Sequence, residues 1–201
     1  MNVPAILRRA LLPAALALSF AALPAMAQQT VNIRGTLTGF DGKVLSVKAR
    51  DGRDEQIDLP ADLAVSATGP FSLADVKPGM VLGVTTVKRD GATVAIDVRP
   101  IPPAARQGLT PYDLQPESTM TNAVFEAAVS ASGGQEITLK HPGGDVKVLV
   151  PPGTPMSRAI PGTREDLKVG EAIYVATQQG EGDRLRAVRV QVGKGGLRPT
   201  Q

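Results

Sequence analysis

Histidine, a common metal ligand and general base, occurs once in the sequence, at His141. It stands directly before Pro142-Gly143-Gly144, residues that predict a tight turn at the tip of a hairpin. No second histidine and no cysteine is present to complete a transition-metal site or to act as a thiol nucleophile. We therefore interpret His141 as an exposed turn residue and assign no metal ligands.

The other reactive side chains also lack a catalytic pattern. A serine hydrolase needs a nucleophile, a base and a group that orients the base, and the sequence has no Gly-x-Ser-x-Gly elbow. Four acids cluster around one predicted hairpin without the spacing of an EF-hand loop: Asp51, Asp54, Glu55 and Asp58. We predict that the chain is not an enzyme and assign no catalytic or cofactor-binding residues. A hydrolase with a carboxylate pair that leaves no local signature stays an alternative.

One short segment is written twice in the chain, as residues 72–79 and 163–170. Each copy has a hydroxyl residue followed three positions later by an aspartate, Asp75 or Asp166, and each ends in a glycine. This is the pattern of a capped helical turn, which explains both aspartates without a ligand. The copies are offset by 91 positions (166 − 75), which predicts a duplicated domain of about 70 residues plus a connector.

The elements that would position these residues are strands. Apolar and polar residues alternate from Val31 to Thr38, the period of a half-buried strand, and Asp41-Gly42 is a hairpin turn signal. Three predicted strands precede each helical turn and two follow it. This order is that of the OB fold. We predict an all-β protein of two tandem OB-like five-stranded barrels, each with one short helical turn between strands 3 and 4.

The predicted organisation begins with a signal peptide over residues 1–27. Arg8 and Arg9 precede an apolar stretch, and Ala25-Met26-Ala27 is a small-x-small cleavage site, which predicts export to the periplasm. The first barrel is then expected over 28–99 and the second over 122–192. Between them lies a Pro-rich connector, 100–121, and after them a flexible tail, 193–201.

The charge and hydropathy of the sequence argue against a nucleic-acid partner and against a membrane-spanning segment. The formal net charge of +3 includes Arg8 and Arg9, so the mature chain carries +3 − 2 = +1. A near-neutral chain with few aromatic residues lacks the basic groove and stacking platforms of a nucleic-acid binder. No apolar run long enough to span a bilayer follows residue 27, so we expect no membrane span.

The connector contains two residues, Tyr112 and Leu114, that are more apolar than a plain linker requires. In one interpretation they pack against one or both barrels. In the other they contact a ligand or a partner at the seam between the barrels. The sequence leaves both interpretations open.

Two segments carry a resemblance to a known group of proteins, residues 112–123 (YDLQPESTMTNA) and 192–197 (VGKGGL). The chain resembles uncharacterised two-lobe periplasmic proteins of α-proteobacteria. Each lobe resembles a widespread small β-barrel domain of unknown function, whose pattern is an Asp-x-Lys-x-Gly turn before a strand. The resemblance implies a fold and a compartment, and no activity. Some such relatives are labelled metal transporter permeases, but a permease needs several spans that this sequence does not contain.

These observations predict a non-enzymatic periplasmic binding or accessory module. Its partner would be an unknown envelope protein or a small ligand, and no cofactor is expected. A weak metal-binding or metal-stress protein is the first alternative, and the hydrolase described above is the second. The sequence makes no prediction of the oligomeric state.

Overall fold

The computed structural model of the protein describes residues 30–182 and 184–200. The predicted signal peptide, 1–27, lies outside the described residues. The described chain contains two short 3-10 turns, Leu73–Asp75 and Arg164–Asp166, and thirteen strands. In chain order the strands are β1 (Val31–Phe40), β2 (Val44–Ala49), β3 (Asp54–Asp58), β4 (Val65–Pro70), β5 (Val81–Arg89), β6 (Ala92–Pro100), β7 (Gly108–Pro111), β8 (Thr119–Ala131), β9 (Gly134–His141), β10 (Gly144–Val150), β11 (Ser157–Pro161), β12 (Ala172–Gln179) and β13 (Leu185–Val192).

Ten of these strands form two closed five-stranded barrels, which we call barrel A and barrel B. Barrel A has the strand order β13-β12-β1-β2-β3, and β13 pairs with β3 to close it. Barrel B has the order β8-β5-β6-β10-β9, and β9 pairs with β8 to close it. The predicted all-β fold of two OB-like barrels is confirmed.

Both barrels have the strand arrangement of an OB fold, a three-stranded meander combined with a two-stranded hairpin. The first hairpin strand lies antiparallel to the first meander strand, and the second lies parallel to the third. In barrel A these pairs are β12 with β1 and β13 with β3. In barrel B they are β5 with β8 and β6 with β10.

The strands are not divided between the barrels as contiguous lobes, so the predicted lobes 28–99 and 122–192 were wrong in this respect. Barrel A combines the meander β1 to β3 with the hairpin β12–β13 from the second half of the chain. Barrel B combines the meander β8 to β10 with the hairpin β5–β6 from the first half. Alternation fixes which face of a strand is buried, but it does not say which of two similar meanders a hairpin joins.

Two strands that alternation does not predict, β4 and β11, join the barrels. They pair antiparallel with Thr68 opposite Ala159. These two residues are 91 positions apart (159 − 68), the offset of the sequence repeat, so an approximate twofold axis passes between them. Strand β4 also pairs with β13 of barrel A, and Met156 beside β11 bridges to Val98 of barrel B. The β4–β11 pair therefore connects the two sheets across the axis.

The repeated turns carry the predicted capping interactions, although they are 3-10 rather than α-helical. The carboxylate of Asp75 accepts a hydrogen bond from the backbone N–H of Ser72 at 2.9 Å. The carboxylate of Asp166 accepts one from the backbone N–H of Thr163 at 3.0 Å. Both aspartates thus satisfy a backbone donor at the start of a turn.

The glycine that closes each turn docks on a barrel. The N–H of Gly79 donates to the carbonyl of Phe125 at 2.9 Å, and the N–H of Gly170 donates to the carbonyl of Leu37 at 2.8 Å. Both glycines have positive φ, 88° and 94°, which glycine adopts without a steric penalty. Each turn therefore fixes the start of a hairpin against the first strand of the meander from the other half.

Each barrel encloses its own apolar core, as alternation requires. Leu37, Leu45 and Ile57 are fully buried in barrel A. Leu82, Ile137 and Leu139 are fully buried in barrel B. Within the described residues, no helix has the length and apolar character needed to cross a bilayer.

Candidate functional site

The two barrels meet at a region that we call the seam, formed by the outer face of β1, residues 112–115 of the connector and residues 193–200 of the tail. Arg34 of β1 alternates with the core residue Ile33 and would face solvent in an isolated barrel. It is nevertheless only 7% exposed, because the connector and the tail cover it. The seam therefore buries a charged group outside either core.

The guanidinium of Arg34 makes cation–π contacts with two aromatic rings. It lies 5.3 Å from the ring centroid of Tyr112 and 5.3 Å from that of Tyr174. Its Nη2 donates to the hydroxyl of Tyr112 at 2.8 Å and to Oδ1 of Asp113 at 2.9 Å. Cation–π contacts of this kind are strongest where the cation is desolvated. The predicted seam residue Tyr112 thus holds a buried arginine.

A second chain of hydrogen bonds runs across the same face. Nδ2 of Asn32 donates to Oδ2 of Asp113 at 3.0 Å, and the hydroxyl of Tyr174 donates to Oδ1 of Asn32 at 2.8 Å. Asp113 is therefore bound through both of its carboxylate oxygens. These contacts attach the connector to strands β1 and β12 of barrel A.

The tail, which the sequence predicts to be flexible over 193–201, ends in the same network. Nε of Arg34 donates to the carbonyl of Thr200 at 2.9 Å, and the Thr200 hydroxyl donates to Oδ1 of Asp97 at 2.9 Å. Gly193 donates its N–H to the carbonyl of Ala172. The glycines of the tail let it turn sharply, and a sequence rich in glycine does not reveal such docking.

The Thr200 hydroxyl thus contacts a buried ion pair of barrel B, formed by Asp97 and Arg99. Asp97 is 1% exposed and Arg99 is 7% exposed, and Nη1 of Arg99 lies 3.5 Å from Oδ2 of Asp97. Burial raises the pKa of Asp97, against the opposing charge of Arg99. Burial likewise lowers the pKa of Arg99. The tail contributes a third partner to this pair, so it links barrel A to barrel B.

The charges around Arg34 are well compensated. Burial tends to lower the pKa of Arg34, but the hydrogen bonds and charge interactions with Asp113 and Tyr112 together outweigh it and the pKa is raised. Partial burial tends to raise the pKa of Asp113, but Arg34 and Asn32 outweigh it and the pKa is lowered. Arg34 and Asp113 thus form a satisfied pair, which has structural rather than catalytic character.

The open part of the seam is a cleft of 460 Å³ beside this network. The predicted seam residue Leu114 lines it and is half-buried. A second cleft of 350 Å³ adjoins it, and the two share Arg50 and Arg198. The lining of the larger cleft consists of Arg50, Ile96, Leu114, Gln115, Pro155, Met156, Ser157, Gly196, Leu197, Arg198 and Thr200.

The two arginines of this cleft differ from Arg34 in having no counter-charge. Within the described chain, the structure shows neither an ion pair nor a side-chain hydrogen bond for Arg50 or Arg198, and both side chains are exposed. Partial burial, followed by the charges of Arg34 and Arg198, lowers the pKa of Arg50. An anion at this position would therefore find three guanidinium groups nearby, two of them uncommitted.

Sequence reasoning identified Tyr112 and Leu114 but missed Arg34, Arg50 and Arg198. Arg34 sits at a polar position of an alternating strand, and alternation treats such a position as solvated. Arg50 follows β2 in a turn, and Arg198 lies in the glycine-rich tail. Nothing local marks these arginines as neighbours, because the tail brings them together from distant parts of the chain.

The other sequence candidates lie away from the seam. His141 ends β9 at a hairpin, where its Nδ1 accepts a hydrogen bond from the N–H of Gly143 at 2.9 Å. The acidic hairpin cluster is neutralised by basic partners, as where Arg53 pairs with Asp51 at 2.8 Å and with Glu55 at 2.6 Å. Among the described residues, no three His, Cys, Asp or Glu side chains are placed to hold one metal ion.

We predict that Tyr112 and Tyr174, which contact Arg34, titrate at a higher pH than exposed tyrosines. Burial raises the pKa of Tyr112 to about 12 from an ordinary value of 10.0, although Arg34 opposes the shift. Burial also raises the pKa of Tyr174. Because the unfolded protein releases these protons first, the stabilisation present below pH 10 should be lost as the pH rises from 10 towards 12.

Tyrosinate absorbance measures this directly, because these are the only two tyrosines and the chain has no tryptophan. We expect both residues to titrate later in native buffer than in urea. The Tyr112→Phe variant should leave a single late titration. Native and unfolded titration curves that coincide at pH 10 would contradict the prediction.

Comparison of the chain with protein-family models, with curated proteins and with solved structures gave no match.

Proposed function

We propose that the protein is an exported, non-enzymatic binding module of the periplasm whose ligand occupies the 460 Å³ cleft of the seam. The observation that carries the proposal is that three distant segments converge there: the turn after β2 with Arg50, the connector with Leu114, and the tail with Arg198. A cleft of this volume is in the range of small-molecule sites, which are roughly 300–1,000 Å³.

The chemistry of the lining favours binding over catalysis. The residues around the cleft include no histidine, aspartate or glutamate. Among the described residues, no acid or histidine is hydrogen-bonded to the Ser157 hydroxyl. The Thr200 hydroxyl does donate to a carboxylate, that of Asp97, but this carboxylate is buried and paired with Arg99. Arginine stays protonated in proteins and can bind an anion, but it is a poor proton donor or acceptor in a reaction cycle.

The compartment is supported by the signal-peptide pattern of residues 1–27 and by the resemblance of the chain to periplasmic proteins. The two alternatives, metal binding and carboxylate hydrolysis, lack a comparable observation in the described residues. We therefore keep the binding module as the single proposed function.

A labelling experiment tests the proposal, because the chain contains no cysteine and a single introduced thiol is therefore a unique label site. Gln115→Cys places an environment-sensitive dye on the rim of the cleft. Val169→Cys places the same dye on a turn residue that is 69% exposed. We expect a deproteinised extract of the cell envelope to change the emission at position 115 and to leave position 169 unchanged. Equal responses at both positions, or none at either, would refute the seam as a binding site.

A further inference from the structure

We propose that the seam cleft takes a single-chain amphiphile with an anionic headgroup, an inference that rests on the proposed function and specifies its ligand. Arg50 and Arg198 would bind the headgroup, and the apolar wall of the cleft would receive the chain. The headgroup site and the chain site are both inferred from residues that line the same cavity.

The charge of the cleft selects the headgroup. Its lining contains two arginines and no acidic residue. Arg34 lies close behind but is committed to Asp113, so it adds positive potential without offering a free donor. Two uncommitted guanidinium groups repel each other, and one anion between them would replace this repulsion with charge-assisted hydrogen bonds. Carboxylate and phosphate oxygens both match the planar donor fork of arginine.

The apolar part of the lining selects the rest of the ligand. Four half-buried apolar side chains face the same cavity: Ile96, Leu114, Met156 and Leu197. They come from β6, the connector, the segment before β11 and the tail. Ile96, Leu114 and Leu197 belong to neither barrel core, whereas Met156 also packs against the core of barrel B. Covering this surface with an alkyl chain removes apolar area from water, which favours binding. Methionine adapts its shape to such chains, because it is unbranched.

The same features exclude other small ligands. A cation would meet two unneutralised arginines, and a strongly polar sugar would leave the apolar wall without a partner. A ligand with an anionic end and an apolar body satisfies both walls simultaneously. Its headgroup source is either a carboxylate, as in a fatty acid, or a phosphate, as in a lysophospholipid-like molecule.

Calorimetry with three probes of nearly equal chain length tests the inference on the full exported protein. The probes are decanoate, decyl phosphate and decyltrimethylammonium. We expect at least one of the two anionic probes to bind about tenfold or more tightly than the cationic probe. A preference for decanoate or for decyl phosphate would identify the headgroup.

Three variants locate the binding. Arg50→Gln and Arg198→Gln should each weaken the binding of the anionic probes about tenfold or more. Arg53→Gln is the matched control, because Arg53 lies three positions from Arg50 and is 63% exposed and paired with Asp51. It should leave the affinity unchanged, and circular dichroism should show that all three variants fold.

The outcomes separate this inference from the proposed function. Equal binding of the cationic probe, or an affinity that is unchanged in Arg50→Gln, would overturn the anionic amphiphile. If the dye at position 115 responds to the extract while no anionic probe binds, the ligand class is wrong and the binding module stands. If neither experiment shows binding at the cleft, both proposals fail.

Discussion

Cleaving the chain inside the connector is expected to leave one folded complex of two fragments instead of two independent barrels. Each barrel takes strands from both sides of the cut. Strand β1 pairs with β12 from Val31 to Thr36, and β5 pairs with β8 from Val81 to Thr86. Separation of the fragments would break both ladders and expose both cores to water. Permanent interfaces of this kind bury roughly 2,000 Å² or more.

The cut can be placed between Pro103 and Ala104, which are both exposed and lie outside the strands. A protease recognition sequence inserted there should be cleaved without loss of the β-sheet signal in circular dichroism. We expect both fragments to elute together in size-exclusion chromatography, with the mass of the uncut chain. In denaturing urea they should separate, and removal of the urea from the mixture should restore the complex.

The uncut insertion variant is the control for the effect of the added sequence. Two contiguous lobes, as the sequence alone predicted, would give a different result. The fragments would then elute separately, and each would be folded by itself. Such a result would contradict the exchange of hairpins between the halves.

The features of the fold that depend on local residue patterns could be predicted from the sequence. Alternation located the barrel strands, Asp-Gly pairs located hairpins, and the capping pattern located both turns. The exchange of hairpins between the halves of the chain could not be predicted from the sequence. The two halves are similar, so a hairpin that fits one meander fits the other almost equally well. What favours the exchanged form is the path from β3 to β5, on which β4 pairs with β11 at Thr68 and Ala159. This pairing lies 91 positions apart in sequence (159 − 68), beyond any local pattern.

The seam could be predicted only in part, for a related reason. Tyr112 and Leu114 stood out because a proline-rich connector has little local need for apolar side chains. Arg34 did not, because the face of β1 on which it lies is an exterior face of barrel A that becomes interior through tertiary packing. Arg198 lies in a segment whose glycines suggest mobility. Residues buried by packing between domains carry no periodic signal, since period two reports only the nearest core.

Removing the guanidinium of Arg34 is expected to destabilise both barrels together. Arg34→Ala loses the cation–π contacts with Tyr112 and Tyr174, the pair with Asp113 and the bond to the carbonyl of Thr200. Breaking a buried ion pair costs about 3–5 kcal/mol, and the lower end applies because the Asp113 side chain is 50% exposed and can be solvated again. We therefore expect a loss of about 3 kcal/mol in the free energy of unfolding, measured in urea.

Two comparisons show whether the loss comes from the seam. Arg53→Ala removes an arginine that is 63% exposed, and it should change the stability by less than about 0.5 kcal/mol. A double-mutant cycle of Arg34→Ala with Asp113→Ala should give a coupling energy of about 0.5–3 kcal/mol, since the two side chains are in direct contact. An Arg34→Ala variant as stable as Arg53→Ala would contradict the role of the seam. Each barrel takes strands from both halves of the chain, and the tail bonds to both Arg34 and Asp97, so the loss should appear as one shifted transition. Two transitions with only one displaced would mean that the barrels unfold independently despite their exchanged hairpins.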